Sequence, residues 1–155
     1  MNEKPPLLIS ACLLGQPVRY DAASKPLPPE RLTRLTRDYR LVPVCPECLG
    51  GLPTPRPAAE IAGGDAAAVW QGRAKVATKA GDDVTAAFRR GAREALALAR
   101  AEGCAQALLK ANSPSCGGAR VYDGSFSGCL RPGEGVAAHW LRRHGVEVIN
   151  EDQLP

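Results

Sequence analysis

Short apolar runs separated by helical patterns constrain this chain more than any other feature. Leu7–Ala11, Arg40–Val44, Ala105–Lys110 and Val146–Asn150 are brief, and turn-forming residues flank them, which predicts buried strands. Between them lie helical signatures. Pro29-Glu30 opens a short helix over Arg31–Asp38. Val84, Phe88, Gly91, Ala92, Ala95 and Ala99 recur at helical spacing and make one apolar stripe, with Asp83 or Thr85 as a cap and Gly103 at the left-handed end. Another helix is predicted from about Gly135 to Arg143. Strand and helix in alternation predict an α/β fold: a single domain over residues 1–155, with a mainly parallel, Rossmann-like sheet flanked by helices. At 155 residues and 45% hydrophobic, the chain is large enough to bury such a core. Lys75–Thr78 predicts a minor strand ending in a turn at Ala80-Gly81-Asp82, and Leu52 to Gly64, rich in Pro and Gly, reads as irregular.

Three cysteines take their meaning from that pattern. Cys12, Cys45 and Cys116 each sit where an apolar run gives way to Gly/Pro-rich chain. If the runs are parallel strands, all three thiols emerge at one carboxyl edge, where open α/β sheets bind ligands. Three soft donors meeting there can hold a metal cluster and leave one metal site open for chemistry. Disulfide frameworks belong to small secreted chains. Here Met1–Pro6 leads straight into Leu7-Leu8-Ile9 without a signal peptide's apolar stretch, and no apolar run approaches the roughly 18 residues of a membrane span. Reduced thiols, a cytoplasmic location and no membrane partner are expected. The net charge of +4 comes largely from Arg89, Arg90, Arg93, Arg100, Arg142 and Arg143, which read as solvated helix faces. With aromatics at 5%, a nucleic-acid surface is open but not favoured. Cys104, at the head of a strand and so on the opposite edge, reads as a small buried hydrophobe. Cys129, His139 and His144 read as structural.

The segments around the three cysteines carry the chemistry. Asn112-Ser113-Pro114-Ser115-Cys116-Gly117-Gly118 places two hydroxyls beside a thiol, with glycines that let backbone approach a ligand closely. Cys45-Pro46-Glu47-Cys48 is a Cys-x-x-Cys pair. A thioredoxin-like reading fits poorly because Leu49-Gly50-Gly51 would break the helix that motif opens, and a zinc reading lacks a second matching pair. Glu47, a carboxyl beside a thiolate, can have a raised pKa and move a proton. Arg19 and Asp21 can orient a planar polar ligand or pair with each other.

Ser10-Ala11-Cys12-Leu13-Leu14-Gly15, Val18-Arg19-Tyr20-Asp21, Cys45-Pro46-Glu47, Gly50-Gly51-Leu52-Pro53-Thr54-Pro55-Arg56-Pro57, Asp83-Val84-Thr85 and Lys110-Ala111-Asn112-Ser113-Pro114-Ser115-Cys116-Gly117 together resemble the bacterial thiouracil desulfidase family, from about Leu7 to Glu151. The resemblance implies a 4Fe–4S cluster on Cys12, Cys45 and Cys116, proton transfer by Glu47 and Ser113, and a small thiolated pyrimidine as substrate. Two positions depart from the family's pattern: Cys48 stands where an apolar residue is expected, and Ala22 where glycine is expected. Two other functions compete. One is a non-catalytic zinc module on Cys12, Cys45, Cys48 and Cys116. The other is a cluster enzyme acting on thiolated nucleotides in RNA.

Overall fold

The structure, a computed structural model, describes residues 3–154. Its elements run in the order β1 (Pro6–Ser10), α1 (Pro29–Asp38), β2 (Arg40–Val44), α2 (Pro46–Leu49), β3 (Ala59–Ala62), α3 (Ala66–Trp70), β4 (Lys75–Thr78), α4 (Thr85–Glu102), β5 (Gln106–Leu109), β6 (Arg120–Tyr122), β7 (Leu130–Pro132), α5 (Val136–Arg143) and β8 (Glu147–Asn150). The four apolar runs become one parallel sheet in the order β2-β1-β5-β8. β2 and β4 match their predicted spans, whereas Ala11 leaves β1 to begin a 3-10 turn over Ala11–Leu14.

Side chains alternate across this sheet with the strand period of two. Leu8, Val42, Ala107, Leu109 and Val148 pack on Ala95, Leu96 and Ala99 of α4 and on Ala138 and Leu141 of α5. Leu7, Ile9 and Leu108 face the other way, onto Leu13, Leu27 and the α1 residues Leu32 and Leu35. Both faces are therefore covered, as a parallel sheet requires. The chain moves outward from β1 to β2, then crosses back past β1 to β5 and β8. The reversal between β1 and β5 is a topological switch point, and ligands of open α/β sheets bind beside it at the carboxyl ends.

The stripe of α4 is buried through Phe88, Gly91, Ala92, Ala95 and Ala99, and Gly103 closes the helix at φ 75°. Asp83 Oδ1 accepts the Thr85 N–H at 2.9 Å, while Thr85 Oγ1 accepts the Val76 N–H at 2.9 Å and ties the helix to β4. Gly91 has a further role. A Cβ there would lie 1.9 Å from the Pro46 carbonyl oxygen, and one on Gly50 would lie 2.0 Å from that of Ala87. Two glycines thus let α2 dock backbone to backbone on α4.

Three expectations change. The stretch from Leu52 to Gly64 is not wholly irregular, because Ala59–Ala62 forms β3 and pairs antiparallel with β4. Its alanines carry no β signal of their own. The strand exists because Ile61 and Val76 bury together against Phe88 and Ala92. Helix α3, started by Asp65 accepting the Ala68 N–H at 2.8 Å, and the β6–β7 hairpin are too short for periodicity to reveal. The arginines are not all solvated. Arg142 donates to the Gly118 carbonyl at 2.6 Å, the Val148 carbonyl at 2.8 Å and Glu134 Oε2 at 2.9 Å. Arg89 is half-buried and bonds the Val69 carbonyl, while Arg90, Arg93, Arg100 and Arg143 are exposed, Arg93 lying 5.3 Å from the Trp70 ring centre. His139 is held 3.1 Å from Glu134 Oε1. No helix among the described residues is long and apolar enough to cross a membrane.

Candidate active site

Cys12 lies in the turn after β1, Cys45 directly follows β2, and Cys116 lies in the loop after β5. All three line a single cavity of about 260 Å³ at the carboxyl edge, with Glu47 and Ser113 in the same wall.

The Cys116 loop is fixed from three sides. Ser113 Oγ accepts the Cys116 N–H at 2.7 Å, which leaves the hydroxyl hydrogen free to donate elsewhere. Asn150, at the end of β8, donates to the carbonyls of Leu109 (2.7 Å) and Cys116 (3.1 Å) and accepts the Gly118 N–H at 2.6 Å. The first N–H groups of α5 donate to the loop, Val136 to the Pro114 carbonyl at 2.7 Å and Ala137 to that of Ser115 at 2.9 Å. The loop thereby satisfies the helix terminus. Gly117 and Gly118 make room for the protein itself rather than for a ligand: a Cβ would meet the Arg120 carbonyl oxygen at 2.6 Å and Asn150 Oδ1 at 2.9 Å.

Cys45 precedes a single helical turn, closed by the Leu49 N–H on its carbonyl at 3.0 Å and ended at Gly50. Burial pushes the thiols of Cys45 and Cys116 up to about 12, helped at Cys116 by Cys45, Glu47 and Cys12 nearby. Cys12 is also raised by burial, against the opposing charges of Lys110 and Arg19. Without metal these are neutral thiols, and binding a metal would displace their protons.

Burial likewise raises Glu47, with Arg56 and Arg19 pulling the other way. Arg56 is the site residue that sequence reasoning missed. Its side chain is 3% exposed, yet every arm is used. Nε donates to Glu47 Oε1 at 3.2 Å, Nη1 to Thr54 Oγ1 at 3.0 Å and the Pro53 carbonyl at 3.1 Å, and Nη2 to the Val18 carbonyl at 3.0 Å. The available signal was a lone arginine held between Pro55 and Pro57. Lys110 is a second omission; it lines the cavity and pairs with Glu151 at 2.7 Å.

Arg19 reaches the cavity, but Asp21 does not pair with it; Asp21 Oδ1 accepts the Ala23 N–H at 3.0 Å and shapes the turn. Ala22, where glycine was expected, sits in that turn at φ 61°, a left-handed conformation costing an L-residue about 1–2 kcal/mol. Cys48 turns away from the cavity toward Thr54 Oγ1, at 3.6 Å. Cys104 is buried at the amino end of β5, as expected, and Cys129 is exposed.

The donor set fits an iron–sulfur cluster. Three sulfurs, those of Cys12 and Cys116 buried and that of Cys45 half-buried, line one cavity from three strand ends, and the other cysteines lie outside it. Among the described residues no three His, Cys, Asp or Glu side chains come close enough to share one metal ion.

The chain is similar to known proteins over nearly its whole length. The chain is 41% identical over 148 residues to a protein of Bacillus subtilis (strain 168) described as uncharacterized protein YbbK, covering 96% of this chain and 97% of that one. It superposes with a TM-score of 0.87 on the solved structure of 4Fe–4S-dependent thiouracil desulfidase TudS, at 50% identity, covering 98% of this chain and 94% of the other. The model of a family described as 2-thiouracil desulfurase matches residues 7–153. With that match spanning nearly every described residue, the chain belongs to the 2-thiouracil desulfurase family.

Proposed function

We propose that this protein is a desulfidase that converts a small thiolated pyrimidine such as thiouracil, with water, into the corresponding oxo-pyrimidine and sulfide. It does so as a single domain, in the cytoplasm, where thiols stay reduced. One observation carries the reading: three thiols from three strand ends share a cavity with a half-buried carboxyl and a positioned hydroxyl. The names of the family and of the TudS structure support it.

Cys12, Cys45 and Cys116 would hold a 4Fe–4S cluster. Bound there by three thiolates, the cluster supplies an iron without a protein ligand, a Lewis acid for thiocarbonyl sulfur. The protein's own groups do the rest. Glu47 takes a proton from the water that attacks the sulfur-bearing ring carbon, and its burial makes it a stronger base than an ordinary carboxylate. Arg56 fixes that carboxyl through the Nε bond at 3.2 Å. Ser113, anchored by the Cys116 N–H, relays a proton to the ring nitrogen or the departing sulfide. Sulfur leaves at the oxidation state at which it arrived, so no electron donor is consumed.

Protein prepared without oxygen should be brown and carry about four iron and four sulfide per chain. Incubated with 2-thiouracil or 4-thiouracil, it should release uracil and sulfide without an added reductant. Fully loaded protein that turned over neither compound would refute the desulfidase reading. Stoichiometric zinc after anaerobic preparation would refute the cluster.

A further inference from the structure

The desulfidase site leaves one chemically capable side chain unused. Cys48 is one helical turn beyond Cys45, on α2. Both sulfurs approach the same acceptor, the Val18 carbonyl, at 3.8 Å for Cys45 and 3.9 Å for Cys48. Residues three apart on a helical turn have Cα atoms about 5 Å apart, within the roughly 4.4–6.8 Å that a disulfide spans. Both cysteines are partly accessible, whereas Cys12 and Cys116 are buried. Cys45 faces the cavity, and Cys48 lies behind it against Thr54. The pair thus joins a metal ligand to a thiol that no metal requires.

We propose that Cys45 and Cys48 are a redox pair whose disulfide and the cluster exclude one another. When Cys45 carries no metal, a low-molecular-weight disulfide oxidises the pair. One Cys thiolate attacks the small disulfide and releases one small thiol, and the other Cys then displaces the second. Both cysteines lose a proton, one S–S bond forms within the protein, and the two electrons reduce the small disulfide to two thiols. The linked state protects Cys45 from irreversible oxidation, and a dithiol reductant restores it for loading. The exclusion rests on Cys45 being a cluster ligand; the formation of the link does not.

The test uses oxidised glutathione on the full chain, anaerobically loaded or stripped of metal by chelation, followed by thiol titration and peptide mapping. Stripped protein should lose two of its six thiols and yield a Cys45–Cys48 cross-linked peptide with no retained glutathione. Loaded protein should form that link at least about tenfold more slowly, because Cys45 is committed to metal. Stripped Cys45→Ser should give no internal link and should retain glutathione on Cys48. Dithiothreitol should return all six thiols and the capacity to take up iron and sulfide. The proposal is overturned if stripped wild-type protein links Cys45 to Cys12 or Cys116, or forms no internal disulfide. It is also overturned if loaded protein cross-links as fast as stripped protein. A chain that forms the link but never binds iron would leave the pair standing and remove the cluster reading instead.

Discussion

The two ends of β5 carry two cysteines that burial alone would not tell apart. Cys104 precedes the strand and Cys116 follows it; each is 6% exposed, and both belong to the same apolar cluster. Cys104 follows the end of α4, its N–H donating to the Ala99 carbonyl at 2.7 Å, and it fills space. At the carboxyl end the ladder stops, and side chains must satisfy the freed backbone groups. Ser10 Oγ accepts the Lys110 N–H at 2.9 Å, Glu151 accepts that of Ala111 at 2.6 Å, and Ser113 and Asn150 hold the Cys116 loop. That polar netting keeps the strand ends apart and leaves a cavity where three thiols meet. Burial raises both thiols, but only Cys116 has Cys45, Glu47 and Cys12 beside it. Strand direction, and not burial, separates a spacer from a proposed cluster ligand.

The sharpest way to break this contrast is substitution at both ends. Ser in place of Cys12, Cys45 or Cys116 should abolish or severely reduce iron and sulfide loading, whereas Cys104→Ser should load normally. Equal loss at Cys104 would show that loading reports core integrity instead of ligation. Next come the proposed proton-transfer groups. Glu47→Ala and Ser113→Ala should retain the cluster spectrum and lose a factor of about 10²–10⁴ in turnover. With Glu47 as the proposed base and its pKa raised by burial above the ordinary 4.5, kcat/KM should fall as pH drops through that raised value. Glu47→Gln should remove this acid limb, and its survival would assign the base elsewhere.

Smaller effects probe how the carboxyl edge is supported. Gly91→Ala places a methyl 1.9 Å from the Pro46 carbonyl oxygen. It should cost about 1–3 kcal/mol in denaturant unfolding, as overpacking does, and should lower cluster loading because the Cys45 turn rests on that contact. An unchanged midpoint would mean that α2 shifts freely. Ala22→Gly is the mildest. It relieves a left-handed alanine worth about 1–2 kcal/mol at a glycine entropy cost of roughly 0.5–1 kcal/mol. The net gain in stability should lie between about 0 and 1.5 kcal/mol, read as a slightly higher Tm with loading unchanged.

Much of this molecule was legible before folding. The four central strands, α1, α4, α5 and β4 were visible because each carries a local signal, such as an apolar run, a 3.6-residue stripe or, for α1, the Pro29-Glu30 start. Since strands joined through helices run parallel, the same pattern sent Cys12, Cys45 and Cys116 to one edge and Cys104 to the other. β3 escaped notice because its residues become a strand only when β4 pairs with them. Arg56 escaped because its partners are the carbonyls of Val18 and Pro53, Thr54 and Glu47, and no spacing rule announces four bonds from one guanidinium. Gly91 showed its helix face but not its reason, since a close approach needs two backbones.

By itself, then, the sequence determined the alternating α/β plan, the edge at which the thiols gather and the family motifs around them, all consequences of local periodicity and chain direction. Only the tertiary structure decided which of the Cys-x-x-Cys thiols faces the cavity, that Gly117 and Gly118 accommodate protein instead of ligand, and that Arg56 braces Glu47. Those outcomes depend on contacts between segments far apart in the chain, and such contacts exist only once the sheet has brought its strand ends together.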